Sequence, residues 1–140
     1  MVRKASAVWN GSLKEGKGTI STDSGVLSKA QYSFSTRFED KPGTNPEELI
    51  AAAHAACFSM ALSGQLGSAG ITPESIKTAA TLTLEKLESG FTITAVHLDV
   101  TAKIPGGDKA AFEKAAENAK SGCPVSKVLK ANITMSAKLA

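Results

Sequence analysis

Thr44-Asn45-Pro46-Glu47-Glu48-Leu49 opens the stretch that decides the fold, and the chain continues as Ile50-Ala51-Ala52-Ala53-His54-Ala55-Ala56-Cys57-Phe58-Ser59-Met60. Asn45 is a preferred helix cap, and Pro46 fits the first helical position. Glu48 stands where a capping-box acid would sit. From Leu49 onward the side chains are apolar on nearly all faces of a helix, and such a helix has to be surrounded by protein. The sequence therefore predicts a long, buried central helix that begins at Pro46.

The residues before this helix predict an antiparallel β-meander. Asn10-Gly11 and Ser24-Gly25 are turn sequences that separate three short apolar stretches, residues 5–9, 18–22 and 31–38. In the third stretch the alternation of a strand places Tyr32 and Phe34 on one face and Arg37 on the other. We therefore expect Arg37 to project from a strand, opposite an aromatic face.

The residues after the helix predict a β-hairpin, further helices and a last strand. The hairpin has two runs joined at Ser89-Gly90, and the apolar parity of the second run changes near Ala95, which indicates a bulge. Asp108 caps a second helix, and Gly122-Cys123-Pro124 opens a third, short one. The segments in order are residues 75–88, 91–104, 109–120, 122–130 and 131–139. Because strands and helices fall in separate blocks, the order favours an α+β fold.

Composition sets limits on the function. The chain has 140 residues, 42% of them hydrophobic and 21% charged, which is typical of one folded domain spanning residues 1–140. The net charge is +3 and the basic residues are scattered, so nothing indicates nucleic-acid binding.

The sequence favours a cytoplasmic protein. The first residues include Arg3 and Lys4, but no apolar signal segment follows them. The uncharged run 49–73 is interrupted by His54 and by Gly64 and Gly67, which favours a buried helix over a membrane span. In that compartment the two cysteines are expected to be reduced at rest, although a thiol that cycles between redox states remains open.

Two cysteines are the main candidates for chemistry. Cys57 lies within the predicted helix, where a free cysteine is often a small buried hydrophobe, so a structural role and a reactive role both stay open. Cys123 precedes a proline at a helix start, near backbone N–H groups that favour the thiolate. The two do not form a CxxC pair, which excludes a thioredoxin-type dithiol. A metal site combining these thiols with His54 and His97 is conceivable, but no close ligand pair supports it.

Glu47 has a simple structural role as an acid in the first turn of a helix. It precedes Cys57 by ten residues, about 15 Å along a continuous helix, so it cannot reach that cysteine in its own chain. If two copies of the helix cross antiparallel near Ala52, each Glu47 lies beside the partner's Cys57. A catalytic role for Glu47 therefore requires a homodimer.

Two motifs, residues 44–60 and Gly122-Cys123-Pro124-Val125-Ser126, together closely resemble the OsmC family, osmotically inducible relatives of the organic hydroperoxide resistance (Ohr) proteins. The resemblance runs over almost the whole chain, including Gly25-Val26-Leu27 and residues 35–39, and is closer to OsmC than to Ohr. It implies an OsmC-like fold, an intertwined α+β homodimer with its sites at the interface.

The resemblance also implies an activity. Members of this family are thiol peroxidases, hydroperoxide reductases of the peroxiredoxin type that act on organic hydroperoxides and less efficiently on hydrogen peroxide. Cys57 matches the peroxidatic cysteine and Cys123 the resolving one. Arg37 matches the arginine that OsmC places before the helix, and Glu47 its glutamate partner.

The implied mechanism needs no bound cofactor or metal. Arg37 would stabilise the Cys57 thiolate, oriented by a bidentate contact from Glu47. Cys123 would close the resulting sulfenic acid to a disulfide, within one chain or between two, and an external dithiol of lipoyl type would reopen it. An apolar approach formed by Phe38, Phe58 and Met60 would favour alkyl hydroperoxides.

Two other interpretations of the cysteines remain. A noncatalytic dimeric redox-sensing or ligand-binding protein would form the disulfide without turnover. Two buried structural thiols would not react with peroxide.

Overall fold

The computed structural model describes all residues, 1–140. Its six strands and four helices follow one another as β1 (Ala5–Asn10), β2 (Lys17–Thr22), β3 (Ala30–Tyr32), α1 (Phe34–Phe38), α2 (Pro46–Ser68), β4 (Ser75–Leu87), β5 (Gly90–Lys103), α3 (Lys109–Gly122), α4 (Pro124–Val128) and β6 (Asn132–Leu139). They form two compact units, residues 1–49 and 50–140, and each unit has its own three-stranded sheet. The α+β class and the predicted order of meander, helix, hairpin, helices and strand are confirmed.

The first unit contains the predicted meander, with β2 between β1 and β3 and both pairings antiparallel. Gly18 of β2 lies opposite Trp9 on one side and Tyr32 on the other. A Cβ at Gly18 would lie 2.7 Å from the Trp9 ring and 2.5 Å from the Tyr32 ring. The two rings approach over this glycine with centroids 5.5 Å apart, so a side chain at Gly18 would push them away from the sheet.

The prediction of a strand through residues 31–38 is wrong beyond Tyr32. The chain turns there into helix α1, because Ser33 and Thr36 form a reciprocal capping box. The Ser33 Oγ accepts from the Thr36 N–H at 3.3 Å, and the Thr36 Oγ accepts from the Ser33 N–H at 2.9 Å. Arg37 therefore lies in the last turn of a short helix and not on a strand.

Helix α2 begins at Pro46 as predicted, and the Asn45 Oδ1 caps it by accepting the Glu48 N–H at 2.8 Å. The Glu48 carboxylate accepts from the Thr44 hydroxyl. Burial is confined to one stripe, His54, Phe58, Leu62 and Leu66. A single chain therefore covers only one side of this helix, and Met60 keeps 80% of its surface exposed.

The second unit packs α2 and α3 against a mixed sheet. Strand β5 pairs antiparallel with β4 and parallel with β6. The register shifts opposite Thr83 and Leu84, where Thr94 is the extra residue, so the predicted bulge is confirmed. Alternate β5 residues form the centre of the core with Phe58 and Phe112: Val96, Leu98, Val100 and Ala102.

Helices α3 and α4 have the predicted caps. The Asp108 carboxylate accepts from the N–H groups of Ala110 and Ala111. Cys123 ends α3 and caps α4, with Pro124 in the first position of the new helix. The position of Cys123 is therefore fixed by two helices, since it is the last cap of α3 and the first cap of α4.

Helix α2 has the length and apolar composition of a membrane-spanning segment. It is nonetheless a core helix, because Phe58, Leu62 and Leu66 are fully buried in the main apolar cluster of the second unit. This is the arrangement of a soluble fold.

Candidate active site

The two cysteines, 66 residues apart in sequence, meet in the second unit. Cys57 is half-buried on α2 and Cys123 is fully buried at the α3–α4 junction, and both thiols are free. Their side chains lie close enough for each thiol to affect the pKa of the other. The fold thus places the two thiols next to each other within a single chain, although they are distant in sequence.

The Cys57 thiol holds its proton more firmly than an ordinary cysteine. Burial raises its pKa, and the sulfur of Cys123 raises it further. The backbone at Val125 provides a hydrogen bond that acts in the opposite direction and is outweighed. Cys57 therefore needs an additional positive charge to become a thiolate near neutral pH.

The pKa of the Cys123 thiol is shifted in the opposite direction. Burial by itself would raise its pKa, but hydrogen bonds from Ser126, Cys57 and the Val125 backbone outweigh burial, and the net pKa is lowered. The Cys123 Sγ accepts from the Ser126 N–H at 3.5 Å and from the Ser126 hydroxyl at 3.6 Å. The hydrogen bonds around Cys123 therefore favour its charged form, whereas burial favours the neutral form of Cys57.

A buried histidine continues this network. The His54 Nε2 lies 2.7 Å from the Ser126 Oγ, and His54 is fully buried. Burial lowers the pKa of His54, which keeps the ring neutral. Sequence reasoning weighed His54 only as a metal ligand and gave Ser126 no role. The sequence does contain a signal for Ser126. It stands three residues after the helix cap Cys123, and a side chain at that position can contact the capping side chain.

Arg37 and Glu47 meet within the first unit. The Arg37 Nε and Nη2 lie 2.8 Å and 2.6 Å from the same Glu47 oxygen, Oε1. The predicted pairing is therefore present, but the predicted bidentate geometry is not. The Glu47 Oε2 is buried without a hydrogen-bond partner, whereas the Arg37 side chain is 37% exposed. The guanidinium also lies over the Phe38 ring, 5.0 Å from its centroid.

A cavity of about 240 Å³ lies beside Arg37 in the first unit. Its lining is mainly aromatic and apolar: Trp9, Leu13, Tyr32, Phe34 and Phe38, with Ser33 and Arg37. Phe38 was predicted to line an apolar approach, and it does line this cavity. Phe58 was predicted to do so as well, but it is fully buried in the core of the second unit.

No group of three or more His, Cys, Asp or Glu side chains is arranged to hold a metal ion. His97 lies instead on β5, where its ring nitrogens contact the hydroxyls of Thr134 and Ser136 at 2.7 Å and 3.2 Å.

The model of the family described as OsmC-like protein matches residues 38–138. Peroxiredoxin OsmC of Escherichia coli (strain K12) is 56% identical over 137 residues, which cover 98% of this chain and 96% of the relative. This chain belongs to the OsmC-like family. Organic hydroperoxide resistance protein OhrB of Bacillus subtilis (strain 168) is a more distant relative, 33% identical over 87% of this chain and 88% of its own.

Solved structures of OsmC-like and Ohr proteins share the fold. An OsmC-like protein of unknown function from Vibrio cholerae superposes with a TM-score of 0.79 at 21% identity, covering 99% of both chains. Bacillus subtilis OhrB superposes with a TM-score of 0.71 at 25% identity, covering 96% of this chain and 98% of its own. The OsmC-like family match includes Glu47 and both cysteines, whereas Arg37 lies one residue before it.

Proposed function

We propose that this chain is a thiol-dependent peroxidase that reduces organic hydroperoxides to alcohols, and hydrogen peroxide less efficiently. The observation that carries the proposal is the contact between the free thiols of Cys57 and Cys123. Membership in the OsmC-like family and the names of the relatives, peroxiredoxin and organic hydroperoxide resistance protein, support it.

The proposed reaction has three balanced steps. The Cys57 thiolate attacks the outer oxygen of the hydroperoxide, the O–O bond breaks, and the alkoxide takes a proton from water to leave as an alcohol. The Cys123 thiolate then attacks the sulfur of the Cys57 sulfenic acid, and hydroxide leaves as the disulfide forms. An external dithiol reduces that disulfide to two thiols and is itself oxidised to a disulfide. We propose a lipoyl-type dithiol for this step, following the family resemblance.

The first step requires a cation that the second unit does not place at Cys57, since the pKa of Cys57 is raised. We propose Arg37, held by Glu47, as that cation. Glu47 and Cys57 belong to one uninterrupted helix, ten residues and about 15 Å apart. The Arg37–Glu47 pair that serves a given Cys57 therefore belongs to the partner in a homodimer.

Exposed apolar surface supports the same dimer. Met60 is 80% exposed on α2, and Ala52, Ala53 and Ala56 are exposed on the same helix. In the first unit, Val8 of β1 is 57% exposed. Apolar surface of this kind marks a protein interface, and small alanines allow two helices to approach closely.

We propose that the cavity beside Arg37 holds the organic part of the substrate. Its aromatic lining excludes water from an alkyl or aryl group while the guanidinium binds the peroxide oxygens. Hydrogen peroxide has no organic group to bury, so its kcat/KM should be lower.

The decisive experiment is consumption of cumene hydroperoxide in the presence of dithiothreitol, followed together with intact mass. The wild type should consume many equivalents and, without dithiol, lose two hydrogens as the disulfide forms. Cys57→Ser should consume none, and Ser63→Ala, at an exposed position on the same helix, should behave as the wild type. Oxidation by one equivalent without turnover would identify a redox sensor instead, and no mass change would identify structural thiols.

A further inference from the structure

A buried chain of hydrogen bonds leads from α2 to the resolving thiol. It runs from the His54 Nε2 to the Ser126 Oγ at 2.7 Å, and from the Ser126 Oγ to the Cys123 Sγ at 3.6 Å. His54 and Ser126 are 0% and 8% exposed, so water has little access to either group. The reaction proposed above makes no use of His54, although burying an imidazole in an apolar core is costly.

The number of available protons decides which group donates in each of these two hydrogen bonds. A serine hydroxyl has one proton, and in the contact with Cys123 the hydroxyl is the donor. Its oxygen must then accept from His54, which places the proton of the neutral ring on Nε2. The Nδ1 is buried without a hydrogen-bond partner, and this tautomer leaves a bare lone pair there and no unsatisfied N–H group.

We infer that His54 is a positioning residue for the resolving step: it holds the Ser126 hydroxyl so that its proton points at the Cys123 sulfur and stabilises the thiolate. The inference rests on the proposed peroxidase function for its role in catalysis. The stabilised thiolate attacks the sulfur of the Cys57 sulfenic acid, the S–S bond forms, the S–O bond breaks, and hydroxide leaves. A faster resolving step shortens the life of the sulfenic acid and protects Cys57 from overoxidation.

Few other groups affect the pKa of the Cys123 thiol. From α2 the Cys57 thiol faces it, and from its own turn the N–H of Ser126 and the backbone at Val125 donate to it. The Ser126 hydroxyl is thus the side-chain donor that can be removed while both cysteines remain. A change at His54 acts on Cys123 only through that hydroxyl.

The first test needs no peroxide and therefore stands apart from the proposed function. In a Cys57→Ser background, Cys123 is the single thiol. Because it is fully buried, its ionisation is followed against pH by the ultraviolet absorbance of the thiolate. Ser126→Ala should raise the apparent pKa of Cys123 and lower the thiolate fraction at pH 7 by about tenfold, because a hydrogen bond to a charged group is lost. Ser126→Thr, which keeps a hydroxyl, should restore most of that fraction.

His54 is tested in the same background. His54→Phe fills the space without a donor and should shift the pH profile in the same direction as Ser126→Ala. His54→Gln has an amide N–H that can donate to Ser126, and it should return the profile toward that of the parent. Two controls, His97→Gln and Ser121→Ala, change the other histidine and an exposed serine of α3 that donates to carbonyls of its own helix; both should leave the profile unchanged.

The second test measures the two steps separately in protein with both cysteines. After one equivalent of cumene hydroperoxide, Ser126→Ala should form the Cys57 sulfenic acid at no less than the parental rate but close the disulfide several-fold more slowly. An unchanged Cys123 profile in Ser126→Ala overturns the inference, as does His54→Gln behaving like His54→Phe. Failure of the wild type to form a sulfenic acid would overturn the peroxidase function, while the pH profiles of the Cys123 thiolate would still decide the His54–Ser126 relationship.

Discussion

The Cys57 and Cys123 side chains lie next to each other, and the pKa of Cys123 is lowered while the pKa of Cys57 is raised. A thiol that attacks a peroxide needs a lowered pKa, so the proposed first step at Cys57 needs the opposite shift. In the proposed reaction Cys123 is the resolving nucleophile, and its lowered pKa suits that role. The proposed mechanism takes the charge that makes Cys57 reactive from Arg37, which is therefore the central residue to test.

Replacing Cys123 by Ser should trap the reaction after its first step. One equivalent of hydroperoxide should be reduced, and excess hydroperoxide should convert Cys57 to the sulfinic acid, a gain of two oxygens in intact mass. The wild type treated in the same way with dithiol should keep its reduced mass. Sustained turnover by Cys123→Ser in the presence of dithiol would show that Cys123 is not required for resolution.

Replacing Arg37 by Ala should raise the pKa of Cys57. In a Cys123→Ser background, the alkylation profile of Cys57 should move to higher pH, because a positive charge near a thiol favours the thiolate. Peroxide reduction at pH 7 should fall by about tenfold or more. Arg3→Ala is the matched control, since Arg3 is the other arginine and is exposed near the N-terminus. An alkylation profile that does not change would remove Arg37 from this role.

Mixed dimers should distinguish a site built by two chains from a site within one chain. Cys57→Ser is expected to be inactive, and Arg37→Ala to keep about a tenth of the wild-type activity or less. A dimer with one chain of each kind has one intact site if Arg37 acts on the partner's Cys57, and none if both act within one chain. Co-expression of the two variants should therefore restore about a quarter of wild-type activity when dimers form at random.

The controls for mixed dimers follow from the same reasoning. Two variants of the same residue, such as Arg37→Ala with Arg37→Lys, should give no gain beyond the sum of their separate activities. Sedimentation should show a dimer at micromolar concentration. A fully active monomer would contradict the placement of Glu47 across subunits.

Replacing Phe58 by Ala should lower the free energy of unfolding by about 3–5 kcal/mol, because it opens a cavity in the core of the second unit. Gln65→Ala, at an exposed position on the same helix, should change it by less than about 0.5 kcal/mol. Denaturant unfolding at one fixed protein concentration compares them. Equal effects would mean that Phe58 is not part of the core.

The sequence by itself determined the local features. Asn45 and Pro46 placed the start of α2, Asp108 and Cys123 capped the next two helices, and alternation identified the strands. Each signal acts over a few residues, through a cap hydrogen bond, a fixed proline φ or the period of a strand, so it can be read without knowing the fold. Helix α1 was missed because a five-residue segment with a capping box at Ser33 also alternates like a strand.

No local sequence pattern predicted which site residues are in contact, although the family resemblance implied the pairs Cys57–Cys123 and Arg37–Glu47. Cys57 meets Cys123 across 66 residues, and His54 meets Ser126 across 72. Such contacts depend on how α2 packs beside the α3–α4 junction, and no local pattern encodes that packing. The order of the two thiol pKa values follows from the same packing, because burial and hydrogen bonds from distant parts of the chain set the cost of each charge.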